Sequence, residues 1–80
     1  MEDLLRRITF NKDVLCGKPI VRGLRISVEA VLELLAKGAT EQEILEDYSE
    51  LEPDDIRAVL LYAQYMVAKE DVFDRVGAQG

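Results

Sequence analysis

The clearest chemistry in the chain lies in one short stretch. Gly17-Lys18-Pro19-Ile20-Val21-Arg22-Gly23-Leu24-Arg25-Ile26-Ser27-Val28 sets Lys18, Arg22 and Arg25 on a connector that Pro19 stiffens and Gly17 and Gly23 turn. A guanidinium is a planar fork of donors matched to phosphate and carboxylate. Arg22 and Arg25 therefore have the chemistry to grip a nucleic-acid backbone or the acidic metal site of a nuclease. The plainer use of such residues is pairing with the protein's own acidic helices. That use is expected of Arg25, which precedes an Ile destined for the interior. Arg22 is expected to face outward, so that Arg22→Ala weakens partner binding and leaves folding nearly unchanged. Arg6, Arg7 and Lys12 add to the same basic edge.

Other chemistry is excluded residue by residue. The chain has no His, which removes Ser-His and Cys-His couples and the common zinc sites. Gly17-Lys18 is not a phosphate loop, because Lys12 stands where the first glycine belongs and Pro19 where a hydroxyl must hold magnesium. The adjacent acids Glu46-Asp47, Asp54-Asp55 and Glu70-Asp71 diverge by about 100° on a helix, so they form no clamp and are expected to be solvated helix ends. Tyr62 and Tyr65 sit among apolar residues and are expected in the core or an interface, not on a base-stacking platform. The single Cys16 fits a reducing compartment and a half-buried turn position. No enzyme activity, cofactor or metal is expected.

Charge is unevenly placed. Of the 80 residues, ten are Lys or Arg and sixteen Asp or Glu, a net charge of -6. The part up to Arg25 carries six basic against three acidic residues and the remainder four against thirteen, an asymmetry that often marks an interaction surface, although many acidic helices are merely solvated. The pI near 4.5 runs against a nucleic-acid footprint. Half the residues are apolar, enough for one packed domain over residues 1–80. A chain of this length buries only about 60% of its unfolded surface, so a partner would help it. No run is long enough to span a membrane and the acidic start does not read as a signal peptide, so a cytoplasmic protein is expected.

The elements that position these residues follow from pattern. Residues 1–7 read as a loose or partly helical lead-in with Leu4 and Leu5 available to dock. Ile8-Thr9-Phe10 alternates as a short strand with Ile8 and Phe10 on one side, and Leu24-Arg25-Ile26 is the strand expected to pair with it. Asn11-Lys12-Asp13 supplies turn chemistry. Ser27 caps a helix whose face is Val28, Val31, Leu32 and Leu35 and which stops at Gly38. Thr40-Glu41-Gln42-Glu43 is a capping box that opens a second helix through Tyr48. Pro53 opens a third, running to about Lys69, with Ile56, Val59, Leu60, Ala63 and Val67 toward the other two. Leu61, Tyr65, Ala68 and Val72 form a second apolar stripe nearly opposite, which is expected to meet another chain. The pattern predicts a mainly α fold: a strand-and-turn arm over 8–26, a three-helix core over 28–72, and a frayed end at 77–80; the core has the outline of a trihelical, homeodomain-like helix-turn-helix, an outline that other small three-helix bundles share.

The connector, with Leu34-Leu35-Ala36-Lys37-Gly38, Glu43-Ile44-Leu45-Glu46-Asp47-Tyr48 and Asp55-Ile56-Arg57-Ala58-Val59-Leu60-Leu61-Tyr62-Ala63, resembles in order and spacing the bacterial domain-of-unknown-function family 433. The resemblance implies a small helix-turn-helix protein similar to VapB-type antitoxins, often paired with a PIN-like nuclease toxin. It departs from the family at Leu24, where Thr is usual, at Ser27, often Pro, and at Glu52, usually Thr or Ser. On this footing the expected role is a homodimer that neutralises a PIN-type ribonuclease toxin, with DNA binding for autoregulation. The alternative is a DNA-binding transcriptional regulator without a toxin partner. The contact set expected for toxin or DNA is Lys18, Arg22, Arg25, Arg6, Arg7 and Lys12. An acidic start to the third helix, Glu52-Pro53-Asp54-Asp55, argues against that helix entering the major groove.

Overall fold

Local signals place the helices where expected. The computed structural model describes residues 2–69. Ser27 accepts the Ala30 N–H at 2.9 Å and starts α2, Val28–Ala36. The helix ends in a Schellman turn: Gly38, at φ 95°, donates to the Leu35 carbonyl and Ala39 to the Leu34 carbonyl, which satisfies two carbonyls the last turn leaves free. Thr40 and Glu43 cap each other reciprocally, at 3.1 and 2.8 Å, and open α3, Glu41–Asp47. Pro53 opens α4, Pro53–Lys69. A short α1, Glu2–Leu5, precedes them and rests Leu4 on the core. The fold among the described residues is thus four helices with a small antiparallel hairpin near the N-terminus. No described helix is long and apolar enough to cross a membrane.

The hairpin is built from other residues than the alternation suggested. β1, Ile8–Thr9, pairs with β2, Ile20–Val21, in the register Ile8↔Val21 and Thr9↔Ile20. Leu24-Arg25-Ile26 is not the second strand. Arg22 and Gly23 both take left-handed backbone, φ 46° and 72°, and reverse the chain so that Leu24 donates to the Val21 carbonyl at 2.7 Å. The segment returns along the far side of β2, where Val21 donates to the Ile26 carbonyl at 3.0 Å and Ile20 bridges Ser27. The chain reversal comes one strand earlier than alternation alone reveals. Phe10 lies beyond β1 and does not share the fate of Ile8: Ile8 is buried, whereas Phe10 is 58% exposed with its ring 6.3 Å from that of Tyr62.

Ile20, Val21, Val31, Ile44, Ile56 and Val59 are wholly buried and join the arm, α2, α3 and α4 in one core. Each such side chain contributes about 1.5–3 kcal/mol. The buried face of α4 is Asp55, Ile56, Ala58 and Val59; Ile56 and Val59 are on the expected stripe, and Asp55 and Ala58 are additions to it. Leu60 and Val67, expected in the core, are 48% and 56% exposed. Leu60 stands on the α1 side of α4 with Leu4, Arg57 and Gln64, off the face that buries Ile56 and Val59, and Val67 lies in the far half of α4, where no residue is buried. Val72 and residues 77–80 lie outside the described residues.

Candidate functional site

Asp55, third residue of α4, has no solvent exposure. Its carboxylate accepts from Arg22 Nε at 3.0 and 3.1 Å, Arg22 Nη2 at 2.9 Å, Arg7 Nη1 at 2.9 Å and the Glu52 N–H at 2.8 Å. Arg22 Nη2 also donates to the Glu50 carbonyl at 2.7 Å, and Arg7 Nη1 to Glu52 Oε1 at 2.9 Å. Three sequence features bring this about. The Glu52 N–H is one of the orphan donors at a helix start, and an acid three residues on is placed to take it. Left-handed Arg22 turns its side chain toward α4, and its own N–H donates to the Arg7 carbonyl at 2.7 Å, which draws the two arginines together.

Burial by itself would push the Asp55 carboxyl up; the bonds from Arg22, Glu52 and Arg7 outweigh it and hold the group below the usual carboxylate range. Arg7 is raised, first by Glu52 and then by Asp55, and Arg22 is raised by Asp55. A carboxylate so occupied has no lone pair left for proton transfer or a metal. Asp55 is a clamp between the arm and α4.

Expectations for the basic edge are therefore revised. Arg22 is not an open contact but an internal ion pair, and Arg7 shares its partner. Asp55 is not a solvated helix end; Asp54 beside it is. Arg25, expected to pair internally, is exposed and forms no ion pair among the described residues, and the same holds for Arg6 and Lys12. Lys18 is exposed and lies 3.1 Å from Glu29. Cys16 is exposed rather than half-buried, in a left-handed turn with Leu15 and Gly17. One signal in the sequence pointed to the clamp: Asp55 lies on the same helical face as Val59, Tyr62 and Met66, and an acid on an apolar face needs a cation.

The second feature is the far half of α4. Of the interface stripe, Leu61 is half-buried beside α1, Tyr65 is 50% exposed, and Ala68 is exposed. On the other side, α2 and α4 enclose a groove of about 670 Å³ floored by Val28, Leu32, Tyr62, Ala63 and Met66. Its charged lining residues are Glu29 and Glu33. Leu32 belongs to the periodic face expected of α2, whereas Met66 falls on neither stripe of α4, since a groove depends on where two helices diverge. No cluster of three or more acids or cysteines placed to hold a metal occurs among the described residues.

The chain resembles known sequences in the region that contains the clamp. A protein from Sinorhizobium fredii (strain NBRC 101917 / NGR234), described as "Uncharacterized protein y4eO", is 35% identical over 57 residues, 71% of this chain. The match covers 26% of that relative, so the chain spans about a quarter of its length. No solved structure matches the chain. Residues 8–63, which include Arg22 and Asp55 but neither Arg7 nor Met66, match the family described as "Protein of unknown function (DUF433)", and the chain belongs to that family.

Proposed function

We propose that this chain is an antitoxin-like binding protein that dimerises through the Leu61, Tyr65 and Ala68 stripe of α4 and neutralises a PIN-type ribonuclease. In this reading α2, α3 and α4 are a trihelical helix-turn-helix, and the setting is cytoplasmic. The observation that carries it is the far half of α4. From Leu60 to Lys69 the helix has one charge, and none of its ten residues is buried. A helix apolar around its girth is covered in the working assembly. Mixing the protein with the candidate nuclease is expected to give a stable complex and stop RNA cleavage; undiminished cleavage with no complex refutes it. Tyr65→Asp is expected to turn a sedimenting dimer into a monomer.

The competing reading, a DNA-binding regulator without a toxin partner, draws on exposed Arg6, Lys12 and Arg25. It is weakened by the loss of Arg7 and Arg22 to the clamp and by exposed Glu52 and Asp54 at the start of α4. A gel shift with upstream DNA at two salt concentrations separates the two, since phosphate binding must weaken as salt rises.

A further inference from the structure

We propose that the groove between α2 and α4 seats an amphipathic helix from a partner protein, its apolar stripe flanked by arginine or lysine. This inference rests on the protein-partner reading above and says where the partner sits and what it must look like.

The floor supplies the apolar half of the complement. Val28, Leu32 and Ala36 lie at i, i+4 and i+8 on α2 and face Tyr62, Ala63 and Met66 of α4. Those α2 positions span about 12 Å, or two turns, which fits a helix anchored at i, i+3, i+4 and i+7. Tyr62 of the floor is an aromatic anchor of the kind that dominates binding energy, and its ring lies 6.3 Å from that of Phe10. A small ligand is disfavoured, because such sites place several convergent polar groups to orient it and here the charged lining is two exposed carboxylates on one edge.

The rim supplies the sign. Glu29 and Glu33 stand one turn apart along the α2 edge of the groove, both exposed. Lys18 lies 3.1 Å from Glu29 and Lys37 3.1 Å from Glu33. Exposed pairs of this kind contribute little, so the lysines yield readily to an incoming guanidinium, which grips a carboxylate with two donors where an ammonium offers a point charge. The net charge of -6 adds long-range attraction for a cationic segment and repels a second copy from this acidic rim. The Leu61, Tyr65 and Ala68 stripe is nearly opposite on α4 and stays available for the dimer.

The test uses a fluorescent leucine-alanine helix of about 18 residues with arginines flanking the leucine stripe, and the same peptide with glutamate in place of arginine. The full chain is expected to bind the arginine peptide saturably and the glutamate peptide at least about tenfold more weakly. Glu29→Lys with Glu33→Lys, both on the surface, should invert that preference with the helical circular dichroism kept and the melting temperature only slightly lowered. Met66→Asp should abolish binding of both peptides. Equal binding of the two, or of neither, overturns the proposal. Binding that appears only when the chain is ended at Lys69 makes residues 70–80 the occupant, and conversion of a dimer to a monomer by Met66→Asp makes a second copy the occupant; either result overturns it. A nuclease complex that survives the double charge reversal unchanged refutes this seat and leaves the proposed function standing. Peptide binding without any nuclease complex does the reverse.

Discussion

Arg22 reaches Asp55 from a left-handed backbone, φ 46°, and places three N–H···O contacts on its two oxygens at 2.9–3.1 Å. The two residues are 33 apart in the chain, and their contact fixes the turn of the arm on the first turn of α4. A non-glycine residue in that region of φ costs about 1 kcal/mol or more. The pair holds the strain because breaking it would strand a buried charge.

Asp55→Ala removes the buried carboxylate and leaves the partly exposed Arg7 and Arg22 and the Glu52 N–H without it, and is expected to lower stability by about 1–3 kcal/mol. A domain of this size has roughly 4–12 kcal/mol in all, so the variant is expected to stay folded at 25 °C with a clearly lower urea midpoint. Urea denaturation followed by circular dichroism measures it. Arg22→Lys keeps the charge but cannot span both carboxylate oxygens and the Glu50 carbonyl, and should lose about 1–2 kcal/mol.

Stability should fall at acid pH with a defined sign. The folded Asp55 is held below the ordinary carboxylate value, so its contribution is complete above the unfolded value near 4 and is lost as pH falls through and below it toward the folded value. The melting temperature is expected to vary little through Asp55 from pH 7 to about 5 and to drop below about 4. Asp55→Asn should flatten that drop while lowering the plateau. An equal acid slope in both proteins would assign the effect to other carboxylates.

Arg25→Ala, Arg6→Ala and Lys12→Ala are each expected to change stability by less than about 0.5 kcal/mol, since these side chains are exposed and hold no ion pair among the described residues. Arg22→Ala is expected to cost about 3 kcal/mol. Comparing the four by thermal melts distinguishes surface cations from clamped ones, and only the first three are clean probes of partner or nucleic-acid binding.

Two caps give smaller, separable losses. Thr40→Ala removes the hydroxyl that takes the Glu43 N–H and Ser27→Ala the one that takes the Ala30 N–H; each should cost about 1 kcal/mol. The sites are on different helices, so the double variant measured by denaturation should show near-additive losses.

What could be read from sequence was whatever is decided locally. Ser27, Gly38, Thr40, Glu43 and Pro53 announce their helix ends because each acts on backbone groups within a turn, and all five do so in the structure. The strand partner of Ile8 was misplaced because alternation is equally good in Leu24-Arg25-Ile26, while the left-handed pair Arg22-Gly23 that reverses the chain leaves only one glycine as a mark. The clamp was missed for a related reason. Asp55 reads as a helix-dipole acid when its neighbours Pro53 and Asp54 are considered, and as a buried acid only when Val59 and Tyr62 are. The exposed half of α4 was half-legible: the Leu61 stripe was visible as periodicity, whereas which edge of the helix its neighbours leave open, at Leu60 and Val67, depends on how α1 and α2 pack against it.

The clamp also gives the arm its own kinetics. Helices α2, α3 and α4 are joined by short links and can form from near neighbours, but the arm is anchored by contacts that close loops of 33 and 48 residues onto one carboxylate. Such distant closures come late in folding and are the first to reopen. In native-state hydrogen exchange the amides of Val21, Arg22 and Leu24 should therefore open together, as one unit, before those of the α4 interior. Asp55 sets how often that unit lets go.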